Sequence, residues 1–487
     1  MASIQTAIND LRQVVGDAGI LTDRDELLVY ECDGLSVARG RPSAVVFPTS
    51  TEQVVACVRV LAKHNLPMVP RGSGTGLTGG SVAFVQDVLI STARMTRIES
   101  IDLENRMAVV QAGVLNTALS DAVARAAAAA RADSGTTLAP GGLHFSPAPS
   151  SQHASTIGGN AATNAGGVNT LKYGVTSSHI LGMEMVLPDG EILTTRAGAL
   201  RDGIGPDLPG LLCGSEGTLG IITRLWCRLS PRPQHFRTVY AVFSSTPSAC
   251  QAVSDVIAAG IVPAAMEMMD GQMIRVVEQA FGYGFPDEAQ ALLLIEIDGV
   301  EHLLDDELNE IVAICERNGA QEVRHCSDPV RREELWQVRR RTFGAIGRLH
   351  TAYFTQDACV PRSKLAEVVA HIVEMGKQAD LTINNVFHAG DGNIHPIFFF
   401  DDDDPDQITH AMRVSEKVLE YCVAMGGTIS GEHGIGVEKI ALMPVMFNPA
   451  TIDTFQRIKN AFDPRHRIND GKLVPSDTLR IELLTHH

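Results

Sequence analysis

The amino-acid sequence predicts an α+β chain of two principal domains, and three observations carry that expectation. Residues 1–230 set three glycine-rich loops between short strand-like runs. Residues 234–425 alternate apolar strand runs with amphipathic helices, the pattern of an antiparallel sheet covered by helices. Between them, Ser230-Pro231-Arg232-Pro233 reads as a boundary, because prolines this close together break helix and sheet alike.

Taken in order, residues 3–16 read as a short helix and Tyr30-Glu31-Cys32-Asp33-Gly34 as a loop. Val45-Val46-Phe47-Pro48 is a strand that ends at its proline. Thr51 caps a helix to Asn65, with Val54, Val55, Val58 and Leu61 on one face. A strand at 67–70 leads into the first glycine loop, strands at 87–91 and 107–112 follow, and Asn116 to Arg131 is an alanine-rich helix. From Ala139 to Gly167 the chain turns to Gly, Ser, Pro, Asn and Ala. A stretch so poor in large apolar groups is either disordered or folded around a ligand. Strands at 180–187 and 191–194 meet at Pro188-Asp189-Gly190, and Leu219 to Leu229 alternates into another. In the second region strands are expected at 237–243, 291–297, 352–358, 381–387 and 394–400, and helices at 246–259, 301–318, 331–349, 361–379 and 407–425. Asp401 to Asp404 reads as a solvated loop and N-cap ahead of Pro405. A tail helix at 449–461 precedes Asp463-Pro464.

Composition narrows the function. The 487 residues carry a net charge of −17, which disfavours nucleic acid and anionic membrane surfaces as partners. The nine cysteines sit singly, without a C-x-x-C, so an iron–sulfur cluster or zinc ribbon is not expected and reduced thiols in a cytosol are. The N-terminus has no signal-peptide pattern, and no apolar run is long enough to span a bilayer.

The first loop, Pro70-Arg71-Gly72-Ser73-Gly74-Thr75-Gly76-Leu77-Thr78-Gly79-Gly80, suits a pyrophosphate. Its glycines permit positive φ, and successive N–H groups form an anion nest. Gly74 to Gly79 spells G-x-G-x-x-G, but no helical stripe follows, which disfavours a Rossmann reading. Ser155 to Gly167 and Gly214 to Thr223 are two further loops of small residues that let backbone approach a flat polar ligand. Later, His388-Ala389-Gly390-Asp391-Gly392-Asn393-Ile394-His395 puts two imidazoles at the ends of a Gly-Asp-Gly turn. In a hairpin they would be cross-strand neighbours, roughly 5 Å apart at Cβ. Gly431-Glu432-His433-Gly434-Ile435-Gly436 offers a carboxylate and a third imidazole. Divalent metals accept such N/O sets; a turn with one functional histidine or none is the other reading.

The three loops resemble those of the vanillyl-alcohol-oxidase (p-cresol methylhydroxylase) type of FAD-binding domain. The resemblance implies FAD contacts at Pro70, Arg71, Gly72, Ser73, Gly74, Thr75, Gly76, Gly80, Pro149, Ser150, Ser155, Gly158, Asn160, Asn164, Gly166, Glu216, Gly217, Gly220, Ile221 and Asn469. Members with covalent flavin often carry a histidine where Thr75 stands, so dissociable FAD is expected. H-A-G-D-G-N-x-H and G-x-I-S-G-E-H-G-I-G are similar to motifs of the 2-hydroxyacid dehydrogenase branch, which includes D-lactate, D-2-hydroxyglutarate and glycolate dehydrogenases. That similarity implies His388, His395 and Glu432 as ligands of a divalent metal (Zn, Mn or Fe) and His433 as base. Within Leu335-Trp336-Gln337-Val338-Arg339 it implies Arg339 as the clamp on the substrate carboxylate; a surface charge is the plainer reading of that arginine. Phe343 and Thr355 stand where hydroxyglutarate members hold a second carboxylate with threonine and lysine, so a small monocarboxylate is expected.

The resemblance runs from about residue 24 to 475 and is greatest to glycolate-oxidising, FAD-linked members. It departs at a linker, 126–146, longer than usual, and at Asp470, where the family has proline. It implies four segments: 1–40, N-terminal and helical; 41–230, FAD-binding; 231–425, a cap domain for substrate with an antiparallel sheet; and 426–487, returning to the FAD domain. The expected reaction is oxidation of glycolate to glyoxylate. Electrons would pass to an iron–sulfur subunit and a second FAD-type subunit of a membrane-peripheral, cytoplasmic complex, with homo-oligomerisation left open. A stand-alone D-lactate dehydrogenase with a soluble acceptor is the nearest rival. A non-catalytic flavin-binding subunit and a metal-dependent hydrolase are rivals of other classes. The complete His388, His395, Glu432 and His433 set argues against the first of these, and the three loops against the second.

Overall fold

A computed structural model describes residues 2–84, 87–134, 142–195, 205–350, 352–401 and 403–475. Parts of the expected 126–146 linker, of the 139–167 stretch and of the Asp401–Asp404 run therefore lie outside the described residues. Two compact units result, and neither is continuous in sequence. The first comprises 1–166, 174–232 and 432–487; the second comprises 167–173 and 233–431. Residues 1–40 join the first unit, where the helix Ala2–Val15 packs on the helix Thr51–Lys63.

In the first unit, β1 (Ile20–Leu21), β2 (Ala44–Val46), β3 (Met68–Arg71) and β4 (Val88–Ser91) form a sheet in the order β1-β2-β4-β3, with β4 parallel to both β2 and β3. Ser50 caps the helix that links β2 to β3 by accepting from Gln53 N, and Val54, Cys57, Val58 and Leu61 bury its inner face. Seven further strands follow: β5 (Ile98–Asp102), β6 (Met107–Gln111), β7 (Leu143–His144), β8 (Ile180–Val186), β9 (Ile192–Thr194), β10 (Ile221–Arg228) and β11 (Ser230–Pro231). An antiparallel sheet runs β5-β6-β10-β8-β9, and β7 pairs with β11. The second glycine stretch is not all loop. Thr156 caps a short helix, Ile157–Thr163, whose Ile157 and Ala161 enter the core beside Val114 and Leu119.

The second unit is one antiparallel sheet of β12 (His235–Phe243), β13 (Ala265–Asp270), β14 (Ala291–Gly299), β15 (Ala320–Cys326), β16 (Ala352–Thr355), β17 (Ala358–Cys359), β18 (Ile383–His388) and β19 (Asn393–Phe400). Its order is β15-β12-β14-β13-β18-β19-β16, with β17 also on β19. The sequence reading lacked β13, β15 and the helix Gly271–Phe281. β13 is buried on both faces and shows no alternation, whereas β15 is a polar edge strand whose charges discourage further pairing. The helix expected at 331–349 is two, Pro329–Arg340 and Thr342–Leu349, broken at Arg341. These two and Gly271–Phe281 cover the sheet face that carries Tyr240, Met269, Val386 and Ile397. By the two-residue period of strands, Glu267, His388 and His395 stand on that same face.

Candidate active site

The residues expected to contact FAD all lie within the first unit. β3 delivers Pro70 and Arg71, and the chain then turns through Gly74 and Gly79, both with φ near +70° (72° and 73°). A Cβ on Gly72 would lie 2.6 Å from Thr156 Oγ1, and one on Gly217 would lie 3.1 Å from the Pro70 ring. The first loop thus packs on the second and the third. A Cβ on Gly158 would lie 2.6 Å from Ala112 Cβ, and one on Gly220 2.6 Å from Met185. Ser155 Oγ, Asn160 Nδ2, Ser215 Oγ and Asn469 Oδ1 are buried without a hydrogen-bond partner among the described residues. Four orphaned polar atoms, two on the second loop, one on the third and one on the C-terminal segment, fit a polar, planar cofactor, since buried groups of this kind are nearly always satisfied.

Several expected contacts serve the loops themselves. Arg71 turns inward and donates to Cys32 O at 2.9 Å and Ser81 O at 3.3 Å. Burial lowers its pKa, and the Asp33 carboxylate opposes that. Asn164 takes the left-handed C-cap at φ 53° and accepts from Ser177 N. Pro149 O accepts from Gln152 N, Ser73 and Ser150 are exposed, Gly80 and Asn469 are linked as described below, and Gly166 ends the first unit's stretch.

In the second unit, the β18–β19 hairpin carries His388 and His395. They are diagonal neighbours, not directly opposed: His388 faces Asn393 and His395 faces Val386, because the turn occupies residues 389–392. Their rings still lie 5.0 Å apart, nearly perpendicular at 86°. A Cβ on Gly392, at φ 79°, would lie 2.1 Å from Val360 O, so the turn admits no side chain there. Glu267 on β13 sits across from His388 in register; its Oε1 lies 2.6 Å from His388 Nδ1, and its Oε2 accepts from Arg339 Nε at 2.8 Å. Glu267 is 1% exposed and Arg339 8%. Burial alone would raise the Glu267 pKa, but the His388 and Arg339 charges outweigh it and hold the carboxyl below its ordinary value. Arg339 is therefore a buried, paired arginine and not a surface charge. Asp357, fully buried, lies 3.7 Å from His395 Nδ1 through Oδ1. It accepts Asn393 Nδ2 at 2.6 Å, Ser430 Oγ at 2.7 Å and Gly431 N at 2.7 Å. A carboxylate hydrogen-bonded at Nδ1, as Glu267 is at His388, fixes the tautomer and presents Nε2, the arrangement metal-ligating histidines use; Asp357 at 3.7 Å is beyond hydrogen-bond reach of His395.

Gly431 ends the second unit, and Glu432 and His433 open the last segment of the first. Glu432 Oε1 and His433 Nε2 are 3.8 Å apart. The following residues are held tightly. Glu216, buried and in a left-handed backbone conformation (φ 51°), accepts Ile435 N and Gly436 N, each at 2.7 Å. Burial pushes its pKa up, while those two N–H groups and nearby lysines pull it down; the net direction is up. A Cβ on Gly434 would lie 2.6 Å from Glu216 Oε1, and one on Gly436 would lie 2.0 Å from Thr78 O. Asn469 Nδ2 donates to Gly80 O and Glu216 O, and Lys472 Nζ to Gly80 O and Val82 O. The first loop, the third loop and the His433 segment are thereby stitched together.

Two buried acids at the hairpin, Glu267 and Asp357, escaped the sequence reading as site residues. A lone carboxylate inside the apolar run Ala265-Met266-Glu267-Met268-Met269 was the available signal, because such a group is rarely buried without a partner. Asp357 had no comparable cue.

A family model described as "FAD binding domain" matches residues 42–196, and one described as "FAD linked oxidases, C-terminal domain" matches 232–473. The chain is 43% identical over 466 residues to the glycolate oxidase subunit GlcD of Escherichia coli (strain K12), covering 96% of this chain and 90% of that protein. It is 36% identical to the glycolate oxidase subunit GlcD of Bacillus subtilis, covering 96% of each. It is 33% identical to the D-lactate dehydrogenase of Archaeoglobus fulgidus, covering 88% and 91%. Among solved structures, 4-ethylphenol oxidase from Gulosibacter chungangensis matches with a TM-score of 0.79 at 21% identity, covering 98% of each chain. p-Cresol methylhydroxylase matches with 0.75 at 18%, covering 96% of each. The chain belongs to the FAD-linked 2-hydroxyacid dehydrogenases, with a p-cresol-methylhydroxylase-type FAD-binding domain followed by the C-terminal domain of the FAD-linked oxidases.

Proposed function

We propose that this enzyme oxidises glycolate to glyoxylate, using non-covalent FAD and a divalent metal (Zn, Mn or Fe) held by His388, His395 and Glu432. The observation that carries the metal reading is the buried pair His388 and His395, with rings 5.0 Å apart and the Glu267 carboxylate 2.6 Å from His388 Nδ1. Gly431, anchored to Asp357, leads directly into Glu432, which supports Glu432 as third ligand. When bound, FAD supplies the acceptor for the α-hydrogen and its electron pair, and the divalent ion supplies Lewis-acid polarisation of the hydroxyl. Arg339 holds the substrate carboxylate, and His433 takes the hydroxyl proton. Phe343 stacks on Tyr353 with ring centroids 6.1 Å apart, and Thr355 is buried opposite Ile397. These neighbours suit a small monocarboxylate, since a second carboxylate would be desolvated against an aromatic ring.

The name "subunit" on the GlcD relatives supports a complex. An iron–sulfur subunit and a second FAD-type subunit are the partners proposed, at the cytoplasmic face of a membrane, with self-association compatible. None of the described helices is long and apolar enough to cross a membrane. D-lactate is the second substrate reading, favoured by the 33% identity to a D-lactate dehydrogenase. The test is anaerobic. The FAD- and metal-loaded chain receives glycolate while the oxidised-flavin absorbance is followed. Bleaching that a chelator abolishes and added metal restores is the expected result. Bleaching by D-lactate alone moves the substrate; bleaching insensitive to chelation refutes the metal; no bleaching with either acid refutes the proposed catalysis by this chain.

A further inference from the structure

We propose that Glu267 is a positioning residue that couples the substrate-holding arginine to the metal-holding hairpin, so that one buried carboxylate sets both the tautomer of His388 and the pose of Arg339. The inference rests on the reading of His388 and His395 as ligands. A carboxylate 1% exposed inside the apolar strand β13 is costly to desolvate, and it is retained only if its partners repay that cost. Its two oxygens are divided between two partners: Oε1 at 2.6 Å from His388 Nδ1 and Oε2 at 2.8 Å from Arg339 Nε.

Each bond has a distinct consequence. With Nδ1–H facing Glu267, the His388 lone pair lies on Nε2, the form a metal ligand requires, and the carboxylate makes that nitrogen more basic. With Nε committed to Glu267, Arg339 keeps its two terminal nitrogens for another carboxylate, and the planar guanidinium is fixed in orientation. Register enforces the link. Glu267 is directly opposite His388 on the neighbouring strand, while Arg339 descends from the helix Pro329–Arg340 onto the same face. Thr342 Oγ1 donates to Arg339 O at 2.7 Å, holding the helix end from which the arginine extends. An ion pair serving packing alone would predict neither a metal defect nor a substrate defect when the charge is removed from an otherwise folded protein.

The test compares wild type, His388→Ala, Glu267→Gln and Arg339→Lys, each FAD-loaded and stripped of metal. Metal affinity is read by titrating Zn²⁺ or Mn²⁺ against a chelating dye. KM and kcat for glycolate are read with an artificial electron acceptor, and folding by circular dichroism and FAD content. Glu267→Gln is expected to weaken metal binding about tenfold or more and to raise KM about tenfold or more, with FAD content unchanged. Arg339→Lys is expected to raise KM and leave metal affinity unchanged. If wild type and His388→Ala bind metal alike, the ligand reading itself falls and takes this inference with it. If wild type binds through His388 but Glu267→Gln keeps both its affinity and its KM, or changes only one of them, the coupling role alone is overturned. Should Glu267→Gln fail to accumulate, Glu267→Asp is the second variant. Its shorter carboxylate keeps the charge but reaches only one partner, and unchanged affinity and KM there overturn the proposal equally.

Discussion

Replacing Glu216 by glutamine probes the clamp that holds the His433 segment. The carboxylate accepts two backbone N–H groups, Ile435 and Gly436, each at 2.7 Å. Glutamine keeps the shape but offers one acceptor oxygen, so one buried N–H loses its partner and meets an amide donor instead. A hydrogen bond to a charged group contributes about 1.5–3 kcal/mol, and an unsatisfied buried donor costs a similar amount, so the segment should open more easily by about 2–3 kcal/mol. That corresponds to roughly 30- to 150-fold faster amide exchange, since each 1.4 kcal/mol is tenfold. The assay is hydrogen–deuterium exchange on peptides spanning 432–437 at pH 8, with turnover measured in parallel. Exchange should accelerate there while peptides from β12 and β14 stay unchanged, and kcat should fall with FAD retained. Exchange at Ile435 and Gly436 matching wild type would refute the clamp.

Gly158→Ala should lower FAD occupancy and thermal stability, because the new Cβ would lie 2.6 Å from Ala112 Cβ and 2.9 Å from its carbonyl oxygen. Overpacking of this kind costs about 1–3 kcal/mol, read as a lower Tm and a smaller flavin-to-protein absorbance ratio. Asp270 gives a pH prediction. Burial, opposed by N–H groups of Met273 and Asn385, raises its pKa from 3.8 to about 6. A raised acid contributes stability that is complete below pH 3.8 and is lost as pH rises through about 6. The difference is about 3 kcal/mol at roughly 1.4 kcal/mol for each tenfold in proton affinity. Denaturant midpoints followed from pH 4 to pH 7 should therefore decline less in Asp270→Asn than in wild type.

The parts of the site legible in the sequence are those encoded within a few residues. The glycine loops and the His388–His395 turn can be read locally, because positive φ and close backbone approach demand glycine at particular positions such as Gly74 and Gly392. What escaped depends on partners far along the chain. Glu216 was visible in its loop, but its acceptor role lies with Ile435 and Gly436, more than 200 residues away (219 and 220). The importance of Glu267 emerges from β13–β18 register, which periodicity does not reveal when a strand is buried on both faces. β15 escaped for the opposite reason: its polar edge residues lack the apolar signature of a strand. The same register shows why the two histidines meet diagonally, a detail set by the number of residues in the turn.

The chain passes between its two units four times, at 166/167, 173/174, 232/233 and 431/432. Met68 N donates to Arg467 O, and Asn469 N to Met68 O, so a C-terminal piece completes the edge of the first sheet beside β3. During synthesis the ribosome releases all of residues 233–431 before that edge can close. The first unit is begun first and finished last, so a nascent chain can bury the core of the second unit while the first glycine loop still awaits Asn469 and Lys472. Truncation after residue 232 would leave a loop whose Gly80 carbonyl has lost both of those donors. Neither unit can consequently be isolated by a single cut in the gene.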